Sequence, residues 1–108
     1  MGHFGISVGA QMLKNYSGGS FTLDSSWNGR SVRYTGTADI TITVPNNLPW
    51  GFSLDITPTA ASGVITFVAS SGGAVFSKTG LRTNGQYATA SLRMISPCVF
   101  TLRGDLQV

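Results

Sequence analysis

The chain has 108 residues and a sparse charge, with 10% Asp, Lys and Arg, no glutamate and a net +3; an average soluble domain carries about 25% charged residues. Its five arginines (Arg30, Arg33, Arg82, Arg93, Arg103) are scattered, and no basic cluster is interleaved with aromatics, so no nucleic-acid partner is expected. No apolar run approaches ~20 residues, so no membrane span is expected, and the N-terminus lacks the basic start and apolar core of an export signal.

With so few long polar side chains and so many Thr, Ser, Val, Ile, Phe and Gly, the composition points to β-structure. Residues 1–19 stand apart. Phe4, Ile6 and Val8 alternate with Gly5, Ser7 and Gly9, and the segment ends at Ser17-Gly18-Gly19. It reads as an arm that orders against a partner, or equally as a first strand or a frayed terminus. Only residues 11–15 admit a short helix.

The remainder, 20–108, reads as one β-domain. Residues 21–24 and 31–34 flank Asn28-Gly29, a dipeptide suited to the two positive-φ positions of a type I′ turn, and predict a hairpin. In residues 39–44, Ile40, Ile42 and Val44 face in while Thr41 and Thr43 face out, until Pro45 ends the strand. Phe52, Leu54 and Ile56 repeat the pattern up to Pro58. Ile65, Phe67 and Ala69 follow, with Val64 and Val68 on the opposite face. A strand apolar on both sides is expected to be central, or to face another subunit. Residues 74–76 predict a short edge strand. Ala88, Ala90, Leu92 and Met94 share one side of the next strand, with Tyr87, Thr89, Ser91 and Arg93 on the other. Phe100 and Leu102 complete the core before Gly104-Asp105 turns the chain. About eight strands at ten-residue spacing, without an internal repeat, predict a single antiparallel β-sandwich or jelly roll behind a short N-terminal arm.

The inventory for chemistry is thin. The one histidine, His3, lies in the arm, and the one cysteine, Cys98, sits far from it beside Pro97. A nucleophile, a base and an orienting group do not come together, so no catalytic residues are assigned. One His, one Cys and four dispersed Asp lack ligand spacing, so no metal and no cofactor are expected. Ser77-Lys78-Thr79 lacks the glycine that a phosphate-binding loop requires before lysine. Arg103-Gly104-Asp105 reads as a strand end and a turn. Trp50 and Tyr87 are the candidate ligand or partner contacts. Trp50, in the loop 46–51, could stack on a sugar ring, cap the core or touch a neighbouring subunit.

The order of elements resembles a small β-domain of tailed-bacteriophage virion proteins. The resemblance spans about residues 20–108. It rests on Asn28-Gly29-Arg30, the strand 41–45 ending in proline, the Gly-Phe strand 51–56, Gly-Val-Ile-Thr-Phe at 63–67, Gly-Gln-Tyr-Ala at 85–88 and Leu-Arg-Gly-Asp-Leu at 102–106. It implies an aromatic near the final strand, filled here by Phe100, and it supplies no catalytic residues. Such domains occur in tail fibres and related virion parts, often as trimers, and similar folds serve as capsid decoration proteins. The implied function is a trimeric capsid decoration (cement) protein, assembled in the host cytoplasm and bound to phage capsid or tail proteins. A start methionine followed by a short arm suggests a free-standing subunit. The expected anchor is Phe4, Ile6 and Val8, and the expected subunit interface is Val64 and Val68. The alternatives are a tail-fibre receptor-binding module or a free carbohydrate-binding module, either with a host glycan as ligand.

Overall fold

The computed structural model describes residues 12–108; the arm residues Phe4, Ile6 and Val8, and also His3, lie outside the described residues. Eleven strands are formed among the described residues, with no α-helix. They are β1 (Met12–Tyr16), β2 (Phe21–Thr22), β3 (Arg30–Tyr34), β4 (Ile40–Val44), β5 (Ser53–Pro58), β6 (Ile65–Ala69), β7 (Ala74–Phe76), β8 (Arg82–Thr83), β9 (Ala90–Ser96), β10 (Val99–Gly104) and β11 (Leu106–Gln107). The helix expected over residues 11–15 is not formed within the described residues: Met12–Tyr16 is a strand, laid parallel on β3. Among the described residues the helical element is a 3-10 turn at Ser25–Trp27. It is capped by Asp24, whose carboxylate accepts the Ser26 N–H at 2.9 Å.

The strands make two mixed sheets, ordered β1-β3-β5-β9-β10-β7 and β11-β8-β6-β4-β2. From β1 to β6 the chain alternates between them, so neighbours within a sheet are parallel. Met12 lies opposite Arg30 and Arg30 opposite Leu54, while Ile42 lies between Phe21 and Phe67. This is a solenoid-like winding, and it corrects the expected antiparallel sandwich. Side-chain bonds between successive coils link residues 19, 21 and 25 positions apart. Coil lengths that vary so much explain why no repeat is visible in the sequence. Of the remaining strands, β9 runs antiparallel to β5, β10 to β9, β8 to β6 and β11 to β8, while β7 lies parallel to β10.

The Asn28-Gly29 turn shows why the expected hairpin does not form. Asn28 has φ −63° and ψ 132°, and only Gly29 is left-handed, at φ 72°. One positive φ marks a type II corner, whereas a type I′ hairpin needs two. The corner passes the chain from one sheet to the other instead of folding it back. It is tied to the next coil, since the Gly29 N–H donates to the Ser53 carbonyl at 2.8 Å and Asn28 Oδ1 accepts the Ser53 N–H at 3.1 Å.

Between the sheets the alternation of the strands is realised. Ile40, Ile42 and Val44 of β4 face Leu54 and Ile56 of β5, with Phe67, Leu92, Phe100 and Leu102 filling the layer. Each such side chain contributes ~1.5–3 kcal/mol by leaving water. Phe52 meets Phe100 edge-on, with ring centroids 6.3 Å apart. Ala69 departs from expectation. It is exposed, because β6 ends there and the chain turns away through residues 70–73. The N-terminal end of the stack is closed by the rings of Tyr16, Phe21, Trp27 and Tyr34, and the Lys14 ammonium lies 4.2 Å from the Trp27 ring centroid. A solenoid end exposes core side chains unless something covers it. Here aromatics do.

Candidate functional site

The outer face of the six-stranded sheet collects the open surface features of the molecule. Its strands present side chains in rows set by register: Leu13, Ser31, Asp55, Ser91 and Arg103 form one, and Asn15, Arg33 and Thr57 another. A third row runs through Ser53, Arg93, Thr101 and Phe76. Large apolar side chains stand exposed on this side, namely Leu13, Phe76, Tyr87 and Ile95.

Three shallow grooves lie on this face. The first, about 720 Å³, runs over β1, β3 and β5 and is lined by Leu13, Asn15, Arg33, Thr57 and Tyr87 among others. Arg33 Nε donates to Asn15 Oδ1 at 2.9 Å, and the Thr57 and Thr89 hydroxyls meet at 2.7 Å. Tyr87 adopts φ 64°, a conformation that costs an aromatic residue ~1–3 kcal/mol. It is held there by its N–H donating to the Pro58 carbonyl at 2.7 Å and by Gln86 Nε2 donating to the Thr59 carbonyl at 2.9 Å. The result is a ring left 67% exposed at the groove's rim.

Trp50 is not brought to Tyr87. It occupies the corner 49–52, where Gly51 has φ 80° and the Phe52 N–H donates to the Pro49 carbonyl. Its ring is exposed but lines none of the three grooves. Val68 lies on the other sheet, opposite Thr43 and partly exposed; Val64 precedes β6 and is half-buried, its N–H donating to Asp39 Oδ1 at 2.9 Å.

The other two grooves, of about 500 and 450 Å³, run along β10 toward β7 and β9. Phe76, Lys78, Arg93, Ile95 and Arg103 line them, and of these only the outward direction of Arg93 was legible in the alternation. Phe76 reads in sequence as the end of an edge strand, and nothing local marks the row it joins.

Three of the four carboxylates serve the chain's own backbone and turns. Asp24 caps the 3-10 turn, and its bonds from the Ser26 side chain and N–H hold its pKa below the usual value. Asp39 accepts the Val64 N–H, and Asp105 accepts from Asn84 Nδ2 at 3.1 Å. Cys98 Sγ donates to the Asn46 carbonyl at 3.1 Å, and no group of three His, Cys, Asp or Glu able to hold a metal is present among the described residues. The groove linings contain hydroxyls, guanidiniums, an ammonium and rings, with no carboxylate, imidazole or thiol. Groups of those kinds can bind and orient.

No family model matches the chain, and no curated protein does either. The functional reading therefore stands on the residues and their placement.

Proposed function

We propose that this chain is a bacteriophage virion structural protein, a homotrimeric capsid decoration protein that holds neighbouring shell subunits together. The observation that supports it best is the free strand edges at the two ends of the stack. β1 and β2 at one end, and β7 and β11 at the other, each keep one side without a strand partner among the described residues. Free strand edges accept strands from other chains. A surface with so little charge adds weak self-repulsion between copies. In this reading Val64 and Val68 make the contact between subunits, and Phe4, Ile6 and Val8 anchor on the shell. Burying those three arm side chains would contribute ~4–8 kcal/mol before the cost of ordering the segment.

Light scattering tests the assembly: a trimer at micromolar concentration is expected, split by Val68→Asp, and a monomer refutes it. Deleting residues 1–11 keeps β1 and should leave the β-spectrum intact while abolishing binding to particles stripped of the native protein. Decoration by the truncated chain would move the anchor onto the β-domain.

A second reading, a tail-fibre or free carbohydrate-binding module, is favoured by the exposed Tyr87 ring at the rim of a polar groove. Copy number separates the two. Hundreds of copies per particle support the shell, a few trimers support the tail, and none supports a free module.

A further inference from the structure

Beyond assembly, the grooves along β10 form one cationic trough whose contents point to a ligand. They share Thr101, Arg103 and Gly104 and so adjoin. Arg93 and Phe76 both face Thr101 in register, from β9 and β7, placing a guanidinium and a ring on either side of one hydroxyl. Arg103 and Ser91 form the next row, and Lys78 closes the far wall.

The trough's charge is uncompensated. Arg30 donates to the Ser26 carbonyl, Arg33 to Asn15 and Arg82 to the Val108 carbonyl, but Arg93 and Arg103 have no such partner among the described residues. No carboxylate lines either groove, and Asp55 stands a strand away, on β5 opposite Ser91. Two exposed guanidiniums on adjoining strands repel each other until an anion joins them, and their planar forks fit a carboxylate.

The rest of the lining narrows the class of ligand. Hydroxyls of Ser91, Thr101 and Thr79 interleave with the cations and can both donate and accept, as a polyol requires. Phe76 is 60% exposed, offering a flat face to a ring. Over Val99–Thr101 β10 is paired on both sides, with β9 and β7, so an extended acidic peptide finds no strand edge beside Arg93 and Phe76. We infer that this trough binds an acidic carbohydrate, its carboxylate held by Arg93 and Arg103 and its ring stacked on Phe76. The inference is independent of whether the chain sits in a shell or a fibre.

Calorimetric titration of the full chain tests it with oligogalacturonate as the probe, beside a neutral cello-oligosaccharide of equal length and poly-L-glutamate. Saturable binding of the acidic sugar alone is expected. The Arg93→Ser/Arg103→Ser variant should bind about tenfold weaker or worse, as loss of charge-assisted pairs requires. Phe76→Ser should lose about fivefold through the stacking contact. Tyr87→Ser should bind normally, and circular dichroism checks each fold. If the double serine variant does not fold, Arg93→Lys/Arg103→Lys replaces it, keeping charge but losing the forks, and weaker binding is again expected. No binding of oligogalacturonate overturns the inference, as does equal binding of the neutral sugar. Poly-glutamate bound as tightly and unaffected by Phe76→Ser would make the site one for acidic protein segments. Loss confined to Tyr87→Ser would move the site to the β1–β3–β5 groove.

Discussion

Thr83→Val should unfasten the smaller sheet at its narrowest point. Thr83 is fully buried, the one polar residue so placed among the described residues, and it lies in a strand of two residues. On one side its hydroxyl accepts the Ile65 N–H at 3.0 Å, extending a ladder in which the Phe67 N–H donates to the Leu81 carbonyl. On the other side its carbonyl accepts from Gln107 Nε2 at 2.8 Å, and the residue pairs with Leu106 of β11. Valine keeps the shape and removes the acceptor, leaving the Ile65 amide buried without a partner at a cost of ~1–3 kcal/mol. A loss near 2 kcal/mol would lower the melting temperature by roughly 8–16 °C in a domain of this size. Thr83→Ser keeps the oxygen and deletes a methyl group, costing about 1 kcal/mol. Urea unfolding followed by tryptophan fluorescence gives the totals. Amide exchange at Ile65, compared with Phe67, gives the local effect. Faster relative exchange at Ile65 is expected in the valine variant alone. A valine variant within ~0.5 kcal/mol of the parent, or a serine variant with equally exposed Ile65, would refute the hydroxyl's role.

Gly104→Ala should cost more than about 3 kcal/mol, because φ is 134° and a Cβ would stand 1.9 Å from the Thr89 carbonyl oxygen. Gly85→Ala, at φ 122° with no atom within 4 Å, should cost only ~1–2 kcal/mol; equal losses in thermal melts would discount the clash. Cys98 sits at φ 63° after Pro97, where a type II turn wants glycine. Cys98→Gly should therefore stabilise by ~0.5–1 kcal/mol, and a lower melting temperature would contradict this. Burial, with smaller contributions from Tyr16 and Asp39, holds the Tyr34 phenol above its usual pKa of 10.0. The folded state keeps that proton while the unfolded state loses it, so this stability is full below pH 10 and is lost as pH rises further. Tyr34→Phe should flatten the alkaline loss, at a neutral-pH cost of about 1 kcal/mol for the bond to the Ala38 carbonyl; an unchanged alkaline profile would refute it.

The strands and their buried faces were legible wherever period two ran for four residues or more. Ile40, Ile42 and Val44, then Leu54 and Ile56, then Ala90 and Leu92, declare which way they point because side-chain alternation is a local property of extended backbone. Two-residue strands such as Phe21–Thr22, Arg82–Thr83 and Leu106–Gln107 are too short to show a period, and their existence depends on the ladders beside them. Pairing was not legible either. Asn28-Gly29 fits a hairpin and a corner equally well by composition, and contacts to Ser53, 25 positions away, accompany the corner. The same holds for the trough. Arg93, Thr101 and Phe76 become neighbours only through the sheet order β9-β10-β7, because the strand partner of a residue is set by which distant backbone completes its hydrogen bonds and core.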